Sequence, residues 1–110
     1  MSTKNYPPFL KWGIYKSTNK KKPDVITIEI VDPEPFQTQY DWNVLAKING
    51  IETNIPLRAK SANKKLYRQY MSLLQNDKIK SKTTLVIKTY LSKSTKNPNY
   101  DLREFEVKLL

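Results

Sequence analysis

The chain has 110 residues, enough for one domain with a modest core, and contains neither cysteine nor histidine. Disulfides, the usual zinc, haem and iron–sulfur ligand sets, and histidine- or cysteine-based nucleophilic catalysis are thereby excluded. Twenty basic residues oppose ten acidic ones, a formal charge of +10, which favours a polyanionic partner through counterion release and long-range steering.

Residues 1–22 (MSTKNYPPFLKWGIYKSTNKKK) hold six lysines and no acid. Pro7-Pro8 opposes regular structure, so residues 1–23 are expected to be a basic, aromatic arm. Its apolar stretch Phe9, Leu10, Trp12, Ile14 and Tyr15 should dock on the remainder, and residues 16–23 should form an exposed loop. The arm has no hydrophobic segment of secretory type. No apolar run in the chain is long enough to span a membrane, and an intracellular protein is expected.

Val25–Val31 (VITIEIV) is a β-branched strand with Ile26, Ile28 and Ile30 on one face. Asp32-Pro33-Glu34-Pro35 should end it, because proline cannot donate to a central ladder. Phe36 then tips a loop. Residues 40–58 (YDWNVLAKINGIETNIPLR) read as a hairpin closed by Asn49-Gly50, a pair suited to a two-residue turn with positive φ at both positions. That turn sets Ile48 opposite Ile51, Ala46 opposite Thr53, Val44 opposite Ile55 and Trp42 opposite Leu57 on one apolar face. Asn43, Leu45, Lys47, Asn54 and Arg58 fall on the other face, with Asp41 and Glu52. Residues 23–57 hold one lysine against six acids.

Ser61 is a good helix N-cap, and Leu66, Tyr70, Leu73 and Leu74 form an apolar stripe through a helix over 61–75. Thr83–Ser92 alternates again, with Leu85, Ile87, Thr89 and Leu91 opposed to Thr84, Val86, Lys88 and Tyr90. A polar, basic loop from Lys93 to Asn99 leads to a last strand, 100–110, with Arg103, Phe105, Val107 and Leu109 on one face. Residues 58–96 hold eleven basic residues against Asp77 alone.

Strand, strand, strand, helix, strand, strand is the order of the OB-fold, a five-stranded, partly open Greek-key barrel. The fold expected is therefore mainly β, a β-β-β-α-β-β barrel over residues 24–110 with one helix between strands 3 and 4. OB-folds bind oligonucleotides on the face of strands 2 and 3, between the loops joining strands 1–2 and 4–5. On that basis Asn43, Asn54, Lys47 and Arg58 are candidate contacts on the hairpin, where an ordinary solvated sheet face is the alternative. Lys88, Tyr90, Lys93 and Lys96 are candidates on the 4–5 hairpin. Tyr90 beside Lys88 offers a stacking ring next to a phosphate-neutralising cation. Phe36 can reach a ligand from its loop, and Trp42 faces either the core or a base. Trp12 and Tyr15, flanked by Lys11 and Lys16, either stack on bases or close the barrel by packing. Two glycines and scattered acids leave no phosphate loop and no carboxylate constellation for catalysis, so neither an enzyme nor a cofactor or metal site is expected.

On these elements, and on the hairpins YDWNVLAKINGIETNIPLR and KTYLSKSTKNPNYDLREFEVKLL, residues 24–110 resemble the OB-fold single-stranded DNA-binding proteins. That resemblance implies binding of single strands by backbone electrostatics and base stacking, in replication, recombination or repair. It implies replication or repair proteins as partners and a cytoplasmic, nucleoid-associated location. Carried over by position, the platform role falls on Tyr90, with Trp42 or Phe36. The phosphate role falls on Lys47, Arg58, Lys60, Lys88, Lys93 and Lys96. An RNA-binding OB protein and a small interaction subunit holding an acidic protein remain the alternatives.

Overall fold

The computed structural model describes residues 7–60, 64–93 and 101–110. The domain is mainly β, with five strands, β1 (Asp24–Gln37), β2 (Trp42–Ile48), β3 (Ile51–Pro56), β4 (Thr84–Lys93) and β5 (Asp101–Leu109), and one helix, α1 (Lys65–Gln75), between β3 and β4. All pairs are antiparallel, in the order β3-β2-β1-β4-β5. The outer strands β3 and β5 are not paired with each other, so the sheet is not closed.

The hairpin register follows from its turn. Asn49 and Gly50 have φ of 53° and 79°, and Ile48 faces Ile51, Ala46 faces Thr53 and Val44 faces Ile55. Period-two alternation then sends Ile26, Ile28, Ile30, Val44, Ala46, Ile55, Leu85 and Ile87 inward, where all are buried. The helix lays Leu66 and Tyr70 on this core, with Tyr67, Met71, Leu73 and Leu74 packed around them.

β1 runs through the two prolines expected to end it, and Phe36 belongs to this strand and not to a loop. The reason lies in the pairing. β4 accompanies β1 only from Asp24 to Glu29, and the β1–β2 register breaks between Asp32 and Phe36. Pro33 and Pro35 therefore sit in a bulged, one-sided stretch where no ladder bond is demanded of their nitrogens. The Pro33 carbonyl is used instead by the Tyr70 hydroxyl, which donates to it at 2.7 Å. The helix also starts later than expected. Lys65 is its first residue, after Lys64 with φ of 50° and no side-chain cap, and Ser61 lies outside the described residues.

Each outer strand is covered. Along β3, the Asn54 amide donates to the Pro8 carbonyl and the Leu10 amide donates to the Asn54 carbonyl, so the arm joins the sheet as a parallel bridge. Beside β5, the Gln69 side chain donates to the Phe105 carbonyl (2.8 Å) and accepts from the Val107 amide (2.9 Å), as a neighbouring strand would. Between them, Trp12 spans the gap. Its indole N–H donates to the Pro56 carbonyl of β3 at 2.8 Å, and its ring meets Phe105 of β5 edge-on at 5.0 Å. Arg103, buried on the inner face, donates to Thr89 and to the Tyr15 carbonyl, fastening the end of this strap. Burial, and then the charge of Arg58, lowers the Arg103 pKa, while Asp24 opposes that shift.

Candidate nucleic-acid interface

Tyr90 projects from the outer face of β4 and is half-buried between two shallow clefts. One is walled by Lys20, Lys21, Pro23 and Lys88 over a floor of Glu104, Phe105 and Glu106. The other is formed by Thr18, Lys20, Leu91, Ser92 and Lys93. Lys20 and Lys21 arrive from the far end of the sequence because the 17–24 loop is tightly tied. The Ser17 hydroxyl donates to the Lys22 carbonyl, the Ser17 amide donates to Asp24, and the Lys21 amide donates to the Asn19 side chain. The loop is pinned to β4 by the Leu91 amide, which donates to the Ser17 carbonyl at 2.7 Å. Nothing local in the lysine run at 20–22 indicates that it lies against Tyr90.

The two carboxylates under the ring are already engaged. Glu104 forms an ion pair with Lys65 of α1 and accepts from the Ser92 hydroxyl, and Glu106 pairs with Lys108 at 3.3 Å. Lys20, Lys21 and Lys88 have no ion pair with a described residue. The cleft is therefore an aromatic surface framed by lysines, with Glu106 opposite Lys88 and Glu104 opposite Tyr90 across the β4–β5 ladder.

The remaining predicted residues lie elsewhere. Lys47 is flanked across the strands by Glu29 and Glu52, in a row of alternating charge. Arg58 does not join it on the outer face. It has φ of 56° and a buried Nε without a partner among the described residues, and it stands near enough to Arg103 to lower that pKa. Lys60 donates to the Gln39 carbonyl at 3.0 Å. Asn43 and Asn54 point outward by register, yet both are buried. The arm covers Asn54, whose amide donates to the Pro7 carbonyl, and the 38–41 loop covers Asn43, whose amide donates to the Asp41 carbonyl. The side-chain N–H groups of both amides are thus bonded within the protein.

Trp12, 4% exposed, is a core residue and presents no face for stacking, so packing is the alternative realised. Tyr15 packs on it, half-buried, and its pKa is raised by desolvation and then by Asp24. Trp42 is half-buried at the start of β2, its carbonyl accepting from the Leu57 amide. Phe36 is exposed on the far side of the sheet, and Lys96 lies outside the described residues. Of the predicted set, Lys88, Tyr90 and Lys93 are brought together.

No family model, curated protein or solved structure matches this chain. Its chemistry must be read from the surface itself. Among the described residues no three histidine, cysteine or acidic side chains cluster as metal ligands, and no helix is long and apolar enough to cross a membrane. What the Tyr90 surface can do is attract an anion by its lysines and hold a flat apolar group against its ring.

Proposed function

We propose that this protein binds single-stranded nucleic acid, most readily DNA, without catalysing a reaction, in replication, recombination or repair, and that its sheet is an open variant of the OB barrel. The strand order supports the second part. β1 is shared by β2 and β4 and the helix falls between β3 and β4, as in an OB barrel whose β3–β5 seam is filled by a strap. The cleft around Tyr90 carries the first part, with Lys20, Lys21, Lys88 and Lys93 surrounding one ring. A base stacked on the ring contributes about 1–3 kcal/mol irrespective of its identity. Lys20, Lys21 and Lys88 on phosphates of a single strand give a log–log salt slope of roughly −2, or about 20-fold weaker binding between 50 and 200 mM salt.

The test is a titration of fluorescent oligo-dT, single-stranded RNA of equal length and duplex DNA at those two salt concentrations. Oligo-dT should bind best and lose affinity at about that slope, and Tyr90→Ala should weaken it by roughly tenfold or more. Absence of binding at low salt, or binding indifferent to salt, overturns the proposal. Preference for RNA would keep the site and change the ligand.

A further inference from the structure

On the β1–β3 side of the sheet lies a groove of opposite chemistry. Phe9, carried there by the docked arm, stands between two clefts of about 520 and 450 Å³, and Thr38 also lines both. Phe36 and Leu45 wall the first cleft, and Tyr40 and Pro56 wall the second. Phe9, Phe36 and Tyr40 are 49%, 39% and 77% exposed. Three large rings left in water around one groove mark an interaction surface better than scattered apolar residues do.

The charged groups lining the groove are of one sign. Its charged lining residues are Asp32 and Asp41, with no lysine or arginine among them, and exposed Glu34 follows two positions after Asp32 on β1. Asp41 is occupied, its carboxylate accepting from the amides of Trp42, Arg58 and Ala59. Asp32 accepts the Glu34 amide at one oxygen and keeps acceptor capacity at the other. Asn43 is 1% exposed, and its Oδ1 has no donor among the described residues. Its Nδ2 bonds to Asp41 O and Thr38 Oγ1 fix the amide with the oxygen as the unsatisfied end. The acidic lining disfavours phosphate and favours cations, although Lys60 stands beside it at the Gln39 carbonyl.

We infer that this groove docks a cationic, apolar peptide segment of a partner protein. Apolar side chains enter the clefts on either side of Phe9, and a lysine or arginine meets Asp32 and Glu34. An acidic protein would meet like charge here, so complementarity selects the partner's sign. The inference stands apart from nucleic-acid binding, which uses the other side of β1.

A random-peptide display library panned on the whole protein tests it, with counter-selection on the Phe9→Ala, Phe36→Ala double variant. Both rings are exposed, so the variant should keep the wild-type melting curve; Asp32→Asn probes the charge without touching a ring. Enriched peptides should combine lysine or arginine with aromatic or proline residues. One of them, labelled and followed by anisotropy, should lose roughly tenfold in affinity with Phe9→Ala and about threefold with Asp32→Asn. It should bind Tyr90→Ala unchanged. No enrichment, enrichment of acidic peptides, or enrichment that survives counter-selection overturns the inference. So does displacement of the peptide by oligo-dT, which would assign the groove to nucleic acid. Self-association of the protein abolished by Phe9→Ala would assign it to a second copy and equally overturn it.

Discussion

Gln69→Ala tests whether a single side chain stands in for the strand that β5 lacks. In the native state its amide bridges the Phe105 carbonyl and the Val107 amide at 2.8 and 2.9 Å. Truncation leaves both backbone groups without a protein partner. Each neutral hydrogen bond contributes about 1 kcal/mol net, and Val107 is half-buried, so water regains them only in part. Alanine improves helix propensity by a few tenths of a kcal/mol, which offsets little. The expected loss is about 2 kcal/mol, a large share of the ~5–15 kcal/mol typical of a domain. Urea titration should show a midpoint lowered by roughly 1 M at unchanged slope, and the Val107 amide should lose protection from hydrogen exchange. Arg68→Ala, next to it on the exposed face of α1, is the control and should stay within about 0.5 kcal/mol. An unchanged midpoint, or a Val107 amide as protected as before, would refute the account of how this edge is held.

Trp12→Ala should destabilise by about 3–5 kcal/mol, because the indole fills the space between β3 and β5 and meets Phe105 edge-on. Trp42 remains as the fluorophore for the urea titration, and a loss below about 1 kcal/mol would show that the strap is not part of the core. Tyr70→Phe concerns alkaline stability. Burial, reinforced by Asp32 and Glu34, raises the Tyr70 pKa, so the folded chain keeps a proton that the unfolded chain releases near pH 10. That stabilisation is fully present below the unfolded pKa and is lost as pH rises above it, by up to about 1.4 kcal/mol per pH unit. The phenylalanine variant should be less stable by about 1–2 kcal/mol at neutral pH, having left the Pro33 carbonyl unpaired. Between pH 9 and 11 it should fall less steeply than the wild type, and parallel melting curves over that range would contradict the linkage.

Much of the fold was legible because local chemistry determines it. Asn49-Gly50 dictates a turn, the turn dictates a register, and alternation assigns faces in β2 to β5. What escaped was any feature that depends on a distant segment lying over a face. Asn43 and Asn54 have the outward parity of binding residues, and they are buried because the 38–41 loop and Pro7 cover them. Parity reports a direction and not an occupant. The prolines at 33 and 35 have the local signature of a strand end, since nothing local reveals that β4 departs at Glu29. Gln69 looks like any polar helix residue until β5 runs beside it. For the candidate site, the residue types and common strand of Lys88 and Tyr90 sufficed, whereas Lys93, expected to open the loop, ends β4. The contribution of Lys20 and Lys21 required knowing where the Ser17–Asp24 loop is tied.

Charge segregation along the chain becomes a division in space through the position of β1. On one side its partner is β4, carrying Lys88 and Tyr90. On the other it is β2, where Lys47 lies between Glu29 and Glu52. Lys88 pairs with Val25 and Lys47 with Glu29, so the two lysines are offset by four residues of β1, about 13 Å at the usual rise, in addition to two strand spacings. That exceeds the Debye length of about 8 Å at physiological salt. The Glu29–Lys47–Glu52 row therefore subtracts little from the field at Tyr90. A chain with this net charge can keep one anionic face because its acids are gathered in residues 23–57. The same separation would let the two ligands proposed above occupy one sheet together without competing for it.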